Sequence, residues 1–397
     1  MSAPGRAPQV LIAVVPDAPL VAGLPCAVRA ARRACAELSP SRVILAGADA
    51  AFLRRWQAPL AACGEALVGG DDPRALNDDL PLLALAGDAL ADDGALADFV
   101  LAAKAPAARR AADRAVAAWT DSPDAFGAGA ARPSQVHARL LAAAFPAIAA
   151  GAFFDAATPP AAARAADVLY ARLAKDSDGY LARFDRRVSL ALTRLLLPLP
   201  VTPNQVTAAG LALSLLGAWE LSLGAPARQL AGAALLWLAC ILDGSDGELA
   251  RLKLLATPTG GAFDLWCDHA AHLATFVALP VGVARLHPGM DWRRAGALLV
   301  LGVAASAASV WKLVLSVPER ERGPRAALVE RVASRDYVYL ILLFAALGRL
   351  DWFVWAAAAG ANLFWPALWL LARPARLSPP GPSRAESRSP RRETSLS

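Results

Sequence analysis

Four aspartates in one stretch of the chain have the types and spacing to do chemistry. They lie in Asp243-Gly-Ser-Asp246-Gly247-Glu-Leu-Ala250-Arg251, followed after eight residues by Gly260-Gly-Ala-Phe-Asp264-Leu-Trp-Cys-Asp268. Asp243 and Asp246 are three apart, Asp264 and Asp268 four apart, so each pair shares one face of a helix. The helices around them are apolar, and ionisable groups there are costly enough that a functional reading is the default. Two such helices joined by a short turn can face each other with four carboxylates between them. Oxygen ligands alone suit a hard divalent cation, Mg²⁺ or Mn²⁺, rather than zinc. Ions held in this way also coordinate phosphate and offset the charge that moves as a P–O bond breaks. Gly247, Ala250 and Gly260 leave little bulk, so backbones and a ligand can approach closely. The D-G-S-D-G spacing excludes a calcium loop of the D-x-D-x-D-G kind. Helix capping accounts for an isolated pair of aspartates but poorly for four at these intervals.

The elements that must position these acids are membrane helices. Of 397 residues, 56% are hydrophobic and 19% charged, with a mean hydropathy of +0.40. Soluble domains carry about 45–50% apolar and about 25% charged residues, so an all-aqueous, disordered or collagen-like chain is excluded. The net charge of +6 comes from arginines placed beside apolar runs and near the C-terminus, which suits anionic lipid headgroups and argues against a nucleic-acid partner. Cys26, Cys35, Cys63, Cys240 and Cys267 have neither zinc nor disulfide-framework spacing.

Apolar segments at 204–223, 229–250, 261–285, 294–317, 333–349 and 351–372 are each near the ~20 residues needed to cross the hydrocarbon layer. Arg183, Arg186, Arg187, Arg194, Arg251, Lys253, Arg320, Arg322, Arg325, Arg331 and Arg335 lie on one set of flanks, where they outweigh Arg228, Arg285, Arg293, Arg294 and Arg349 on the other. The bias predicts six spans with both termini cytoplasmic, in an inner or plasma membrane. Trp219, Trp292, Trp352 and Trp355 then fall at the outer boundary, as interfacial aromatics should. The short apolar run of the first residues does not make a signal peptide.

Ahead of the spans, QVLIAVVP, SRVILAGAD and LPLLALAGDAL alternate with Ala/Arg-rich helical stretches such as AVRAARRACAEL. That alternation predicts a cytoplasmic α/β domain with a small parallel sheet. The alanine-rich run from 101 to 170 reads as mostly helical. The expected organisation is an α/β domain over 1–170, an amphipathic juxtamembrane helix over 171–200 lying on the membrane surface, a six-helix membrane domain over 201–373, and a disordered basic tail over 374–397.

The pattern D-x2-D-G-x2-A-R-x8-G-x3-D-x3-D is met at every fixed position. It resembles the signature of the CDP-alcohol phosphotransferase (phosphatidyltransferase) family, and the resemblance extends over about 175–372, including Thr202-Pro203-Asn204-Gln-Val-Thr207 at the first span. Family members use a divalent metal while an alcohol displaces CMP from a CDP-linked donor such as CDP-diacylglycerol, and they often pair as homodimers. The resemblance implies that Asp243, Asp246 and Asp264 hold metal, and that Asp268 contacts metal and acts as general base. It further implies that Gly247, Ala250, Arg251 and Gly260 line the CDP site. A carboxylate in such a pocket can take the proton of an attacking hydroxyl.

Lys312, Arg331 and Arg335 are candidates for holding a phosphorylated acceptor, such as inositol phosphate or glycerol phosphate, through forked contacts. Positive-inside anchoring explains the same residues. The N-terminal region is similar to a sugar-phosphate nucleotidyltransferase, as in inositol-phosphate cytidylyltransferase fusions, with Asp88 at a strand end. VVPDAPLVAGLP stands where a Gly-rich triphosphate loop belongs, so the domain reads as degenerate, regulatory or structural. Two alternatives stand beside lipid synthesis: phosphodiester synthesis from CDP-inositol and inositol phosphate, and a cation transporter. One cytoplasmic cluster of acids fits a transporter poorly, because an ion path needs them along several helices at mid-depth. His269 and His272 flank Asp268 and read as polar helix–helix contacts, and Glu248 points away from the aspartate stripe.

Overall fold

The computed structural model describes residues 7–371 except 78, 104–105, 112–113, 127, 129, 150, 174–179, 289–291 and 317–336. The strands are β1 (Gln9–Ala13), β2 (Arg42–Ala46), β3 (Leu67–Gly69), β4 (Leu82–Leu85), β5 (Ala89–Ala91), β6 (Ala107–Ala111), β7 (Arg114–Thr120) and β8 (Phe153–Asp155). In the first half the helices are α1 (Cys26–Leu38), α2 (Ala50–Arg55), α3 (Gln57–Leu60), α4 (Ala95–Ala102), α5 (Pro133–Ala142) and α6 (Pro159–Ala171). Then come α7 (Tyr180–Leu196), α8 (Pro203–Ser222), α9 (Pro226–Leu252), α10 (Pro258–Leu286), α11 (Trp292–Val310), α12 (Tyr337–Ala346) and α13 (Leu350–Leu371).

Six strands form one sheet in the order β3-β2-β1-β4-β7-β6, and β5 pairs with β8 separately. Strands β1 to β4 are parallel, as alternating strands and helices require. Both faces are covered, so their side chains alternate between two cores. Val10, Ile12, Val43, Leu45, Leu83 and Leu85 join one with α1, while Leu11, Ile44, Leu82 and Ala84 join another with α5. Ala27, Ala30, Ala31 and Ala34 let α1 lie close on the sheet.

The sheet is mixed rather than parallel, which corrects the expectation from sequence. Strand β7 runs antiparallel to β4 and to β6, within a stretch whose alanines suggested helix. Alanine is the best helix former locally, yet Val116, Ala117 and Ala118 are buried against the sheet. There pairing with β4 outweighs the modest local preference.

His137 of α5 lies under this sheet, and its Nε2 donates to the Leu85 carbonyl at 2.7 Å. Burial pushes its pKa below the ordinary 6.5. The unfolded chain therefore takes up a proton below about pH 6.5 that the folded chain refuses. Its contribution to stability is complete above that pH and falls as pH drops toward the depressed folded value. Denaturant midpoints of the full chain should decline between pH 7.5 and 5.5, with a slope from this group of at most ~1.4 kcal/mol per pH unit. His137→Gln should flatten that slope.

The chain divides into two compact units, Met1–Trp219 with Ala231–Thr275, and Glu220–Leu230 with Phe276–Ser397. In the first, one face of α7 packs on α9. Phe184 stacks on Trp237 with ring centroids 6.4 Å apart, and Ser189 and Thr193 are buried. In the second, α11 meets α13 through small and polar residues. Asn362 donates to Leu298 and Ala358 carbonyls at 2.8 Å, and a Cβ at Gly302 would lie 2.6 Å from the Asn362 amide nitrogen. The Gly/Ser stripe of GVAASAAS is thus used within the subunit.

Four of the described helices are long and apolar enough to cross a membrane: α9, α10, α11 with the following turn to Val314, and α13. The other two expected segments correspond to α8, which carries Asn204, Gln205 and Glu220, and to α12, described over ten residues.

Candidate metal centre and active site

The turn between α9 and α10 sets how their acids meet. Helix α9 ends with the Leu255 amide donating to the Ala250 carbonyl at 2.8 Å and the Leu254 amide to Arg251 at 3.3 Å. Leu254 has φ 56° in the left-handed region, where glycine is usual at such an end. Two residues past Leu255, Thr257 caps α10, accepting the Gly260 amide at 3.0 Å on its hydroxyl, and Pro258 takes the first helical position. This compact reversal brings Asp264 and Asp268 back to α9.

Asp243, Asp264 and Asp268 each offer a carboxylate oxygen within 4.8 Å of the others, all three half-buried. Asp264 Oδ1 is buried and meets no hydrogen-bond donor among the described residues. An ionised oxygen in that state needs a cation, so the donor set fits a hard divalent ion. Asp246 is more deeply buried, and its Oδ2 accepts the Thr207 hydroxyl from α8. Three of the four aspartates form the cluster, and the fourth stands beside it, held by Thr207.

The four residues expected at the CDP site lie at this end of α9 and α10. Gly247 and Ala250 are half-buried and Arg251 exposed; a Cβ at Gly247 would come 4.0 Å from the Arg251 guanidinium. At Gly260 a Cβ would meet Thr257 Oγ1 at 3.0 Å and Asn204 Oδ1 at 3.2 Å. Gly260→Val should therefore push aside both the α10 cap and Asn204. Mn²⁺ binding should weaken at least about tenfold while the chain still folds, since one tight contact at a helix start costs about 1–3 kcal/mol; unchanged affinity would refute a crowded site here.

Thr207 and Asn204 were visible in the segment opening the first span but not as site residues. Their proximity to Asp246 and Gly260 arises from helix packing. Glu248, as its helical phase predicted, faces away, yet it is fully buried. Its carboxylate accepts Ser189 Oγ at 2.7 Å and Thr193 Oγ1 at 2.8 Å, with Arg186 at 3.7 Å. His269 bonds the Leu265 carbonyl of its own helix at 2.6 Å, rather than a neighbouring helix.

Residues 200–365, which contain all of these acids, match the family model described as CDP-alcohol phosphatidyltransferase. This stretch is a CDP-alcohol phosphatidyltransferase domain. Over 141 residues the chain is 38% identical to the "Bifunctional IPC transferase and DIPP synthase" of Rubrobacter xylanophilus, covering 35% of this chain and 31% of that protein. Over 93 residues it is 33% identical to the "Phosphatidylinositol phosphate synthase" of Mycobacterium tuberculosis, covering 23% of this chain and 42% of that one. The chain thus spans less than half the length of either curated relative. A solved structure of Mycobacterium tuberculosis phosphatidylinositol phosphate synthase in complex with manganese and citrate is similar over 46% of this chain and 88% of its own, with 23% identity and a TM-score of 0.33.

Elsewhere in the transferase domain, Lys312 follows α11 in a π-helical turn over Trp311–Leu315. Its Nζ lies 5.2 Å from the centre of the Trp369 ring, a cation–π contact. Arg331 and Arg335 lie outside the described residues. Outside the transferase domain, Asp88 pairs with Arg114 at 2.8 Å, and the same guanidinium bonds Asp155.

Proposed function

We propose that the chain is an integral membrane CDP-alcohol phosphotransferase that transfers a substituted phosphate from a CDP-linked donor to an acceptor hydroxyl and releases CMP. The convergence of Asp243, Asp264 and Asp268, with one Asp264 oxygen lacking a donor, carries this reading. These residues with Asp246 would hold Mg²⁺ or Mn²⁺, which supplies charge neutralisation at the diphosphate. Asp268 takes the proton of the acceptor hydroxyl as its oxygen forms a bond to phosphorus. The bond from phosphorus to the CMP oxygen breaks, and CMP leaves with that electron pair. The low wall of Gly247 and Ala250 admits the nucleotide, and Arg251 meets its phosphates as a fixed positive charge.

The name of the mycobacterial relative, a phosphatidylinositol phosphate synthase, supports a phosphatidyl donor and a phosphorylated alcohol such as inositol phosphate as acceptor, and the family resemblance makes CDP-diacylglycerol that donor. A second reading, CDP-inositol as a soluble donor, draws on the higher identity to the bifunctional relative. Six crossings with both termini and the acids on the cytoplasmic side follow from the arginine bias and the six apolar segments. The N-terminal α/β region serves as a support without nucleotidyl transfer: no Gly-rich loop follows β1, and Asp88 is tied to Arg114.

The decisive experiment follows labelled CMP from CDP-diacylglycerol and from CDP-inositol, each with a panel of phosphorylated and free alcohols, with and without Mg²⁺ or Mn²⁺. Metal-dependent CMP release from one donor is expected, and its identity separates the two readings. No release from either donor overturns the transferase reading. In the same assay, Lys312→Ala and Arg335→Ala should raise the acceptor KM about tenfold or more, the worth of a charge-assisted phosphate contact. An unchanged KM would assign both residues to anchoring.

A further inference from the structure

Arg29 of α1 is 8% exposed, and among the described residues its side-chain hydrogen bonds all go to main-chain carbonyls. Its Nε donates to Val21 at 3.0 Å, and its Nη2 donates to Ala22 at 3.0 Å and to Leu252 at 2.8 Å. Among the described residues the titratable groups that face it are Cys26, Tyr170 and Arg33, none of them a carboxylate. Burial lowers its pKa to about 10, so it remains charged at neutral pH. Burying a cation with no anion beside it is costly. What the guanidinium meets instead is the carbonyl end of α9, the negative pole of that helix.

Leu252 is the last residue of α9, roughly 9 Å along the axis from Asp246. Around the contact, Val21, Ala22 and Cys26 share one apolar cluster with Leu197, Val206, Leu249 and Leu252. Ala22 takes φ 45°, a left-handed conformation that an alanine adopts only under constraint, and so turns its carbonyl to the guanidinium. A second cation holds the same helix end: Lys253 Nζ donates to the Leu199 and Val201 carbonyls at 2.7 and 2.9 Å.

We propose that Arg29 is a positioning residue of the phosphotransferase site. Through it the α/β region, with no chemistry of its own, fixes the end of α9 and the reversal into α10, and thereby the spacing of the four aspartates. The proposal rests on the metal-dependent reading given above, and it assigns to the N-terminal region a share in metal affinity.

The test is a titration of the full chain in detergent or nanodiscs with Mn²⁺, reading free Mn²⁺ by electron paramagnetic resonance. Wild type, Arg29→Ala, Arg29→Lys and the exposed control Arg74→Ala are compared, with folding checked by circular dichroism. Supporting groups around metal ligands typically cost about 10–100-fold in affinity when removed, so Arg29→Ala should weaken Mn²⁺ binding by that order. Arg29→Lys keeps the charge and part of the bonding, and should recover some of the loss. Arg74→Ala should match wild type. Wild-type Mn²⁺ affinity in a folded Arg29→Ala protein overturns the proposal. If that variant does not fold, wild-type affinity in Arg29→Lys overturns it. A wild-type chain that takes up no Mn²⁺ sinks the metal-dependent reading itself, and this proposal with it.

Discussion

The Asp268→Asn protein is expected to fold and to bind its CDP-linked donor, yet to release CMP about 10²–10⁴-fold more slowly, the usual worth of a positioned general base. Asparagine has the same size and keeps one oxygen for an ion but cannot accept the proton of the attacking hydroxyl. The neighbouring Asp264→Asn change should behave differently. Asp264 carries the buried oxygen without a hydrogen-bond donor, so its loss weakens ion binding, and excess Mn²⁺ should restore much of the turnover. High Mn²⁺ should not rescue Asp268→Asn. Single-turnover CMP release across a Mn²⁺ series separates the two, and near-normal turnover by Asp268→Asn would remove it from the proton transfer.

A comparably large effect, on stability, is expected where α7 clasps α9. Glu248 is fully buried one residue past Gly247, and its carboxylate depends on the Ser189 and Thr193 hydroxyls. The Ser189→Ala, Thr193→Val pair would strand a buried carboxyl group with Arg186 at 3.7 Å as its remaining partner. Removing the partners of a buried charge costs about 3–5 kcal/mol. Adding Glu248→Gln to that pair should recover part of the loss, since a neutral amide is cheaper to bury than a carboxylate. Chemical unfolding followed by circular dichroism reads the change. If the double variant is as stable as wild type, the clasp contributes nothing. A triple variant less stable than the double would show that charge burial is not the dominant cost.

The two experiments bear on opposite sides of α9, the acids of α10 meeting one side and α7 the other. Asp243 and Asp246 lie on one face of α9, and Ser245 and Glu248 on the other, where Gly244 lets Ser189 approach to 3.2 Å of a would-be Cβ. The acids can converge only if α9 is held from behind. The polar stripe Arg186, Ser189 and Thr193 does this through Glu248, and the Arg29 contact adds a fastening at the end of the helix.

Much of the site was legible without coordinates because helical periodicity is local. The intervals of three and four residues put Asp243 with Asp246 and Asp264 with Asp268, and the same period turned Glu248 away. Apolar run length marked the segments that became α9, α10, α11 and α13, and the β1, β2 and β4 runs marked the parallel core. The alanines of β6 and β7 misled, because helix propensity differs by only about 0–0.7 kcal/mol among ordinary residues and a sheet partner far along the chain outweighs it. Partners for buried polar groups were hidden for a related reason. Thr207 beside Asp246, Thr193 beside Glu248 and Arg29 beside Leu252 are separated by 39, 55 and 223 positions. Sequence spacing specifies which residues share a face of one helix. Which other helix that face meets depends on packing and on the satisfaction of buried charges, and only the tertiary structure decides it.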